Sequence, residues 1–304
     1  MRIGGQAIME GVLMRSPNFW GMAVRTPAGG MDLRAERFRS ITRRNRLFRL
    51  PIVRGALSLA ETLWLGMRAL ALSTNIALGE EEDLSKKEIA VTLIFGLGLA
   101  FLLFLAAPVL GTKGIGFLFG NSIENPILFN LVEGVLRIGI FVAYLLGITA
   151  LSKDIKRFFA YHGAEHKAIK VYERGEELIP ENSHKLDTSH VRCGTSFVLY
   201  VLVLSILVFS LLGVEGWLYM LVSRVIVIPL VAGVAFEFIM WSARHQDSAV
   251  VRALVWPGLQ MQKLTTREPS DDMVEVAMAS LKKVLSMEEE AHIKPDEATN
   301  KLVI

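Results

Sequence analysis

The stretch "IAVTLIFGLGLAFLLFLAAPVL", residues 89–110, decides the fold: 22 residues carry no charged side chain. A helix rises about 1.5 Å per residue, so such a run crosses a hydrocarbon core of about 30 Å. Residues 195–213 form a second uncharged run. Two further apolar runs carry charges, 126–151 with Glu133 and Arg137, and 216–243 with Arg224 and Glu237. With 52% hydrophobic residues blocked into runs of this length, an ordinary soluble domain is excluded. The lone cysteine, Cys193, excludes an intrachain disulfide.

A fifth apolar segment, 55–78, is settled by charge. Residues 1–54 hold eleven Arg and no Lys against Glu10, Asp32 and Glu36. If 55–78 lies on the membrane rather than across it, these arginines, the 152–193 loop with eight Lys/Arg and the 244–304 C-terminal region share one side. The opposite connections, Gly111–Asn125 and the turn near Val214–Gly216, hold only Lys113. This is the positive-inside pattern with both termini cytoplasmic. Arg54, Glu61 and Arg68 recur every seven residues, giving 55–78 the single polar stripe of an interfacial or re-entrant helix. No signal peptide precedes it: residues 1–54 contain no apolar core.

The fold class is therefore an α-helical polytopic membrane protein. It has four transmembrane helices, one interfacial or re-entrant helix, and a small α+β cytoplasmic domain built from the N-terminus, the 152–193 loop and the C-terminus. "NFWGMAVR" and "MDLRAERF" flank the turn "TPAGG" and predict a hairpin within 1–54. "GGQAIMEG" has glycines suited to close backbone approach, and Gln6 and Glu10 there are within reach of a cytoplasmic site. Ser270 before Asp271 and Asp272 starts an amphipathic helix with Val274, Ala277, Met278, Leu281, Val284 and Leu285 on one face. The last dozen residues read as a polar tail.

"YHGAEHK", 161–167, carries the chemistry. It lies in a stretch predicted to continue the second span as a helix. There His162 and His166 share a face, one turn apart, with Glu165 beside them. H-x-x-E-H is the inverted-zincin arrangement, in which two imidazoles hold zinc and the glutamate takes a proton from activated water. His190 and Cys193 in "SHVRCGTSF" supply further ligands. If all four bind, the site is closed and structural; a catalytic site uses three. His184 and His245 are more distant options, and Glu237 and Glu10 are candidate ligands or supports. Solvated histidines on a basic helix are the competing reading.

Within the spans, Glu133, Arg137 and Arg224 form a candidate intramembrane ion pair, with a proton or ion pathway as the alternative. The arginine-rich N-terminus points to anionic lipid headgroups. No RNA-binding module is recognisable. "QKLTTREPSDD" holds more polar residues than a helix start needs; Arg267 and Glu268 are placed to pair with the N-terminal motif.

"GGQAIMEGVLMR", "YHGAEHKAI", "RCGTSF" and "PGLQMQKLTTREP" together resemble the YqhQ-like family of bacterial membrane proteins, over nearly the whole chain. That family is known as a domain of unknown function, sometimes called a predicted metal-dependent enzyme. The resemblance carries a histidine motif onto His162, Glu165 and His166, and a cysteine motif onto Arg192, Cys193 and Gly194. One departure is Val191, where family members often carry proline. The expected protein is a multi-pass bacterial inner-membrane hydrolase with a cytoplasm-facing site. It uses zinc or another divalent transition metal and acts on a membrane peptide or lipid, alone or as a homo-oligomer. The alternatives are a non-enzymatic membrane assembly factor with a structural metal site, and a transporter or channel subunit.

Overall fold

The computed structural model describes residues 1–79, 86–119, 125–212 and 216–291. The polar tail and most of the turn near Val214–Gly216 lie outside them. Among the described residues, four helical segments are long and apolar enough to cross a membrane: Ala90–Leu118, Pro126–Leu151, Gly194–Leu211 and Val222–Ser242. The first joins α2 (Lys86–Phe101) to α3 (Ala107–Leu118) through a π-helical turn at Leu102–Ala106. Pro108 follows that turn, and the wider winding accommodates a residue with no N–H to give. The connection expected to begin at Gly111 therefore starts later, because α3 runs on past Lys113 to Leu118. In α4 (Pro126–Leu151), Asn125 Oδ1 accepts from Ile127 N at 2.8 Å and Pro126 opens the helix.

Glu133 of α4 is buried and accepts from Arg137 one turn on. It also accepts from Arg224 Nη2 of α7 (Gly216–Ser242), at 2.5 Å. The carboxylate thus serves two guanidiniums in an apolar setting, which a group buried there requires.

The N-terminal region is a four-stranded antiparallel meander, β1 (Gly4–Ile8), β2 (Gly11–Arg15), β3 (Phe19–Arg25) and β4 (Met31–Arg37), in the order β1-β2-β3-β4. The expected hairpin is β3–β4. The two further strands come from "GGQAIMEGVLMR", where the sequence marks only glycines suited to close backbone approach. One sheet face, with Ile3, Ala7, Val12 and Met14, packs on α5 (Lys153–Glu173) and α9 (Asp271–Glu290). The other face, with Ile8, Leu13, Trp20 and Met22, packs on Leu65 and Ala69 of α1 (Val53–Leu78). The result is three layers, helices on both faces of one sheet.

Each residue of the polar stripe of α1 pairs with another part of the protein. Arg54 Nε meets Glu237 Oε1 at 2.6 Å on α7, Glu61 accepts from Arg15 Nη2 at 3.1 Å on β2, and Arg68 Nη2 reaches Glu36 on β4 at 3.0 Å. Leu63, Trp64, Met67 and Leu70 are exposed instead. The helix carrying "YHGAEHK" is not a continuation of α4. Ser152 is extended (φ −114, ψ 125), ends α4, and caps α5 by accepting from Ile155 N. α6 (Gly194–Leu212) and α8 (Ala249–Thr265) pack on each other.

Candidate metal centre

α5 sets His162 and His166 one turn apart, with ring centroids 4.5 Å from each other. Cys193, immediately before α6, meets them: one ligand atom from each of the three residues lies within 4.8 Å of the others. Two backbone carbonyls orient the rings. His162 Nδ1 is 2.8 Å from Thr265 O and His166 Nδ1 is 2.6 Å from Thr188 O. A carbonyl oxygen only accepts, so each Nδ1 carries the proton and each neutral ring keeps its lone pair on Nε2. His162 Nε2 sits 3.4 Å from Cys193 Sγ.

Thr195, at the start of α6, holds the sulfur: its N donates at 3.4 Å and its Oγ1 lies 3.1 Å away. Burial pushes the Cys193 thiol up, but His166 and the Thr195 bonds outweigh it and leave the thiol below its ordinary value. Burial lowers His166, favouring the neutral ring. Glu165 Oε2 is 3.9 Å from His162 Nε2. Burial pushes this carboxyl up to about 8, against the pull of His162 and with the push of Cys193.

Four segments converge to build this arrangement. A Cβ on Gly5 of β1 would come within 2.6 Å of Glu165 Cγ, so β1 lies directly on the glutamate. A Cβ on Gly163 would overlap the Arg267 carbonyl oxygen, and Arg267 N donates to Phe159 O at 2.9 Å. Gln262 of α8 clamps the turn before Cys193: its Oε1 accepts from His190 N at 2.7 Å, and its Nε2 donates to His190 O at 2.8 Å and to Ser196 Oγ at 2.6 Å. A cavity of about 490 Å³ opens beside the cluster, walled by β1, α1, α5 and α6.

The other candidates lie apart from the three ligand atoms. His190 lines the cavity, but its Nε2 turns to Glu173 at 3.3 Å, and Glu173 also holds Arg192 at 2.7 Å. Glu237 is engaged by Arg54, and Glu10 by Arg157 and the Tyr161 hydroxyl. His184 meets Asp271 at 2.9 Å and His245 stacks on Trp241. Glu268 pairs with Lys167 of α5, not with the N-terminal motif, because residues 266–268 run along α5 at Gly163. Sequence reasoning missed Gln262 and the carbonyls of Thr188 and Thr265. The polar excess of "QKLTTREP" was the available signal.

A family described as "Protein of unknown function (DUF1385)" matches residues 50–287. The chain is 30% identical over 299 residues to the "Uncharacterized protein YqhQ" of Bacillus subtilis (strain 168), an alignment covering 94% of this chain and 92% of that protein. No solved structure matches.

Proposed function

The chain belongs to the DUF1385 family, and we propose that it is a membrane-embedded, metal-dependent hydrolase with a site facing the cytoplasm. One observation carries the reading: two oriented imidazoles and a thiol converge at the wall of an open cavity, next to a carboxylate. The donor set fits a zinc-like divalent ion. With Nδ1 donating to a carbonyl, the bond that ligating histidines use to fix their rings, each ring in its neutral form offers Nε2 as the ligand atom, and the thiol is held below its usual range. With three ligands from the chain, such an ion would remain open to substrate or water. Such an ion, when bound, supplies Lewis acidity. The chain's own residues do the rest. Glu165 lines the cavity and carries the proton in transit, and the apolar walls contributed by α1 and α6 exclude bulk water. In this reading the four apolar helices span the membrane, and the distribution of Lys and Arg over the connections supports a cytoplasmic centre.

A structural staple is the second reading, favoured by burial: His166 is 1% and Cys193 4% exposed. Two variants separate the readings. Purified protein is expected to carry about one metal equivalent, as a three-ligand centre holds one ion. His162→Ala should strip it. Glu165→Gln should keep metal and fold yet abolish function when complementing a deletion strain. If Glu165→Gln complements fully while His162→Ala destroys the fold, the centre is a staple. If no metal is present and both variants behave as wild type, the reading fails.

A further inference from the structure

The cavity beside the cluster lies along the open edge of the sheet. β1 pairs with β2 on one side only. The phase of the ladder fixes which backbone groups face outward. Ser16 N donates to Phe19 O and Arg25 N to Glu10 O, so the even-numbered residues of β2 bond to β3. Gly11, Leu13 and Arg15 therefore bond to β1 through Ile8, Gln6 and Gly4, which leaves the N–H and C=O of Gly5 and Ala7 pointing away from β2. The neighbouring contacts keep the same phase. Ile3 O accepts from Arg192 Nη2 at 3.0 Å, and Met9 N donates to Ser73 Oγ at 3.1 Å. Among the described residues, nothing bonds the outward groups of Gly5 and Ala7.

Both residues line the cavity that holds His162, Glu165 and Cys193. α5 covers one face of this edge, and α1, through Leu59 and Leu63, walls the other. We infer that the substrate, on the hydrolase reading above, is an apolar peptide segment that docks in extended form on β1 as a fifth strand. It bonds to Gly5 and Ala7 and is thereby drawn past Glu165. An unbonded backbone group under cover is costly, and an extended peptide supplies N–H and C=O in the alternation that Gly5 and Ala7 require. An acyl chain would fill the same walls and leave those groups unsatisfied. The rim is apolar, with Leu63 58% and Val198 38% exposed, which selects apolar side chains. The step is amide hydrolysis. Water's hydroxyl joins the carbonyl carbon, the C–N bond breaks, and Glu165 passes the remaining proton to the leaving nitrogen.

The test uses the full chain in nanodiscs loaded with zinc and a dye-labelled nonapeptide of alternating Val and Thr, read by fluorescence anisotropy. Two further peptides carry N-methyl groups on one or the other alternate set of amides. The parent peptide is expected to bind. One methylated set should lose about tenfold in affinity, the worth of one or two backbone hydrogen bonds, and the other set little. Ala7→Pro, which removes one outward donor and no ladder bond, should weaken the parent similarly. No saturable binding, or equal affinity for all three peptides, overturns the docking. Displacement by short-chain phosphatidylglycerol with no methylation effect makes lipid the occupant, which also overturns it. Metal content is measured in the same samples taken before zinc loading. A methylation effect without native metal sinks the hydrolase and leaves the docking. Native metal without a methylation effect does the reverse.

Discussion

At Gly163, one hydrogen atom in place of a methyl decides whether the site forms. The neighbour is the Arg267 carbonyl oxygen, a backbone atom that cannot rotate away, and Arg267 N is bonded to Phe159 O on the same helix. In an open helix interior, Gly→Ala stabilises by about 1 kcal/mol. Here overpacking reverses the sign, and Gly163→Ala should destabilise by about 1–3 kcal/mol. Gly147 on α4, with nothing within 4 Å of an added Cβ, is the control and should leave Tm unchanged or raised. Thermal unfolding in detergent reads both. An unchanged Tm for Gly163→Ala would mean that residues 266–268 do not press on α5, and the carbonyl that orients His162 would lose its anchor. Gly5 poses a softer problem: its neighbour is the Glu165 side chain, which can swing, so Gly5→Ala should displace the carboxyl rather than unfold the chain.

Among the elements, α1 shows most directly how burial sets the worth of a charge. Its three stripe residues make three ion pairs in different settings. Glu61 and Arg15 have side chains only 5% and 7% exposed, whereas Arg68 and Glu36 are 41% and 50% exposed. Glu61→Ala leaves the Arg15 guanidinium buried without its carboxylate and should cost about 3 kcal/mol or more. Arg68→Ala removes a solvated pair and should cost under about 1 kcal/mol. Chemical denaturation of the two variants gives the contrast; equal losses would refute the packing of α1 on the sheet. The heptad spacing that reveals this stripe in the sequence does not say what it faces, and that limit is general for this chain. The long apolar helices were legible from length alone, and α5 with its two histidines from spacing. β3–β4 was legible from "TPAGG". β1–β2 was hidden for two physical reasons. The strands are covered on both faces, so no polar alternation marks them, and their turn places Glu10 rather than glycine at positive φ (50°). Cys193 was within reach of the same reasoning. The turn of His190 toward Glu173 exists only once the segment before α6 meets the end of α5, and the Gln262 clamp, 72 residues along from His190, only once α8 lies against α6.

For the whole molecule, one question of sidedness governs every reading of the site. The three-layer body joins the ends of α4, α6 and α7 to the sheet, so with the four apolar helices across a membrane, the body's side is the site's side. The charges argue for the cytoplasm: eight Lys/Arg in 152–193 and eleven Arg in 1–54 lie on that body, against Lys113 near the far end of α3. The arrangement holds only if α1 does not cross, and its exposed Leu63, Trp64, Met67 and Leu70 then lie in the interface with the arginines beside them. Single cysteines decide the matter. Asn45→Cys and Lys185→Cys, on the body, should react with an impermeant maleimide only after cells are opened. Phe119→Cys, 71% exposed at the end of α3, should react in intact cells. Wild type, whose lone Cys193 is buried, is the unlabelled control. Labelling of Asn45→Cys from outside with Lys185→Cys still protected would make α1 a fifth span, and the sheet could not then sit on α5. Labelling of both from outside would invert the molecule and place the centre on the wrong side for a cytoplasmic substrate.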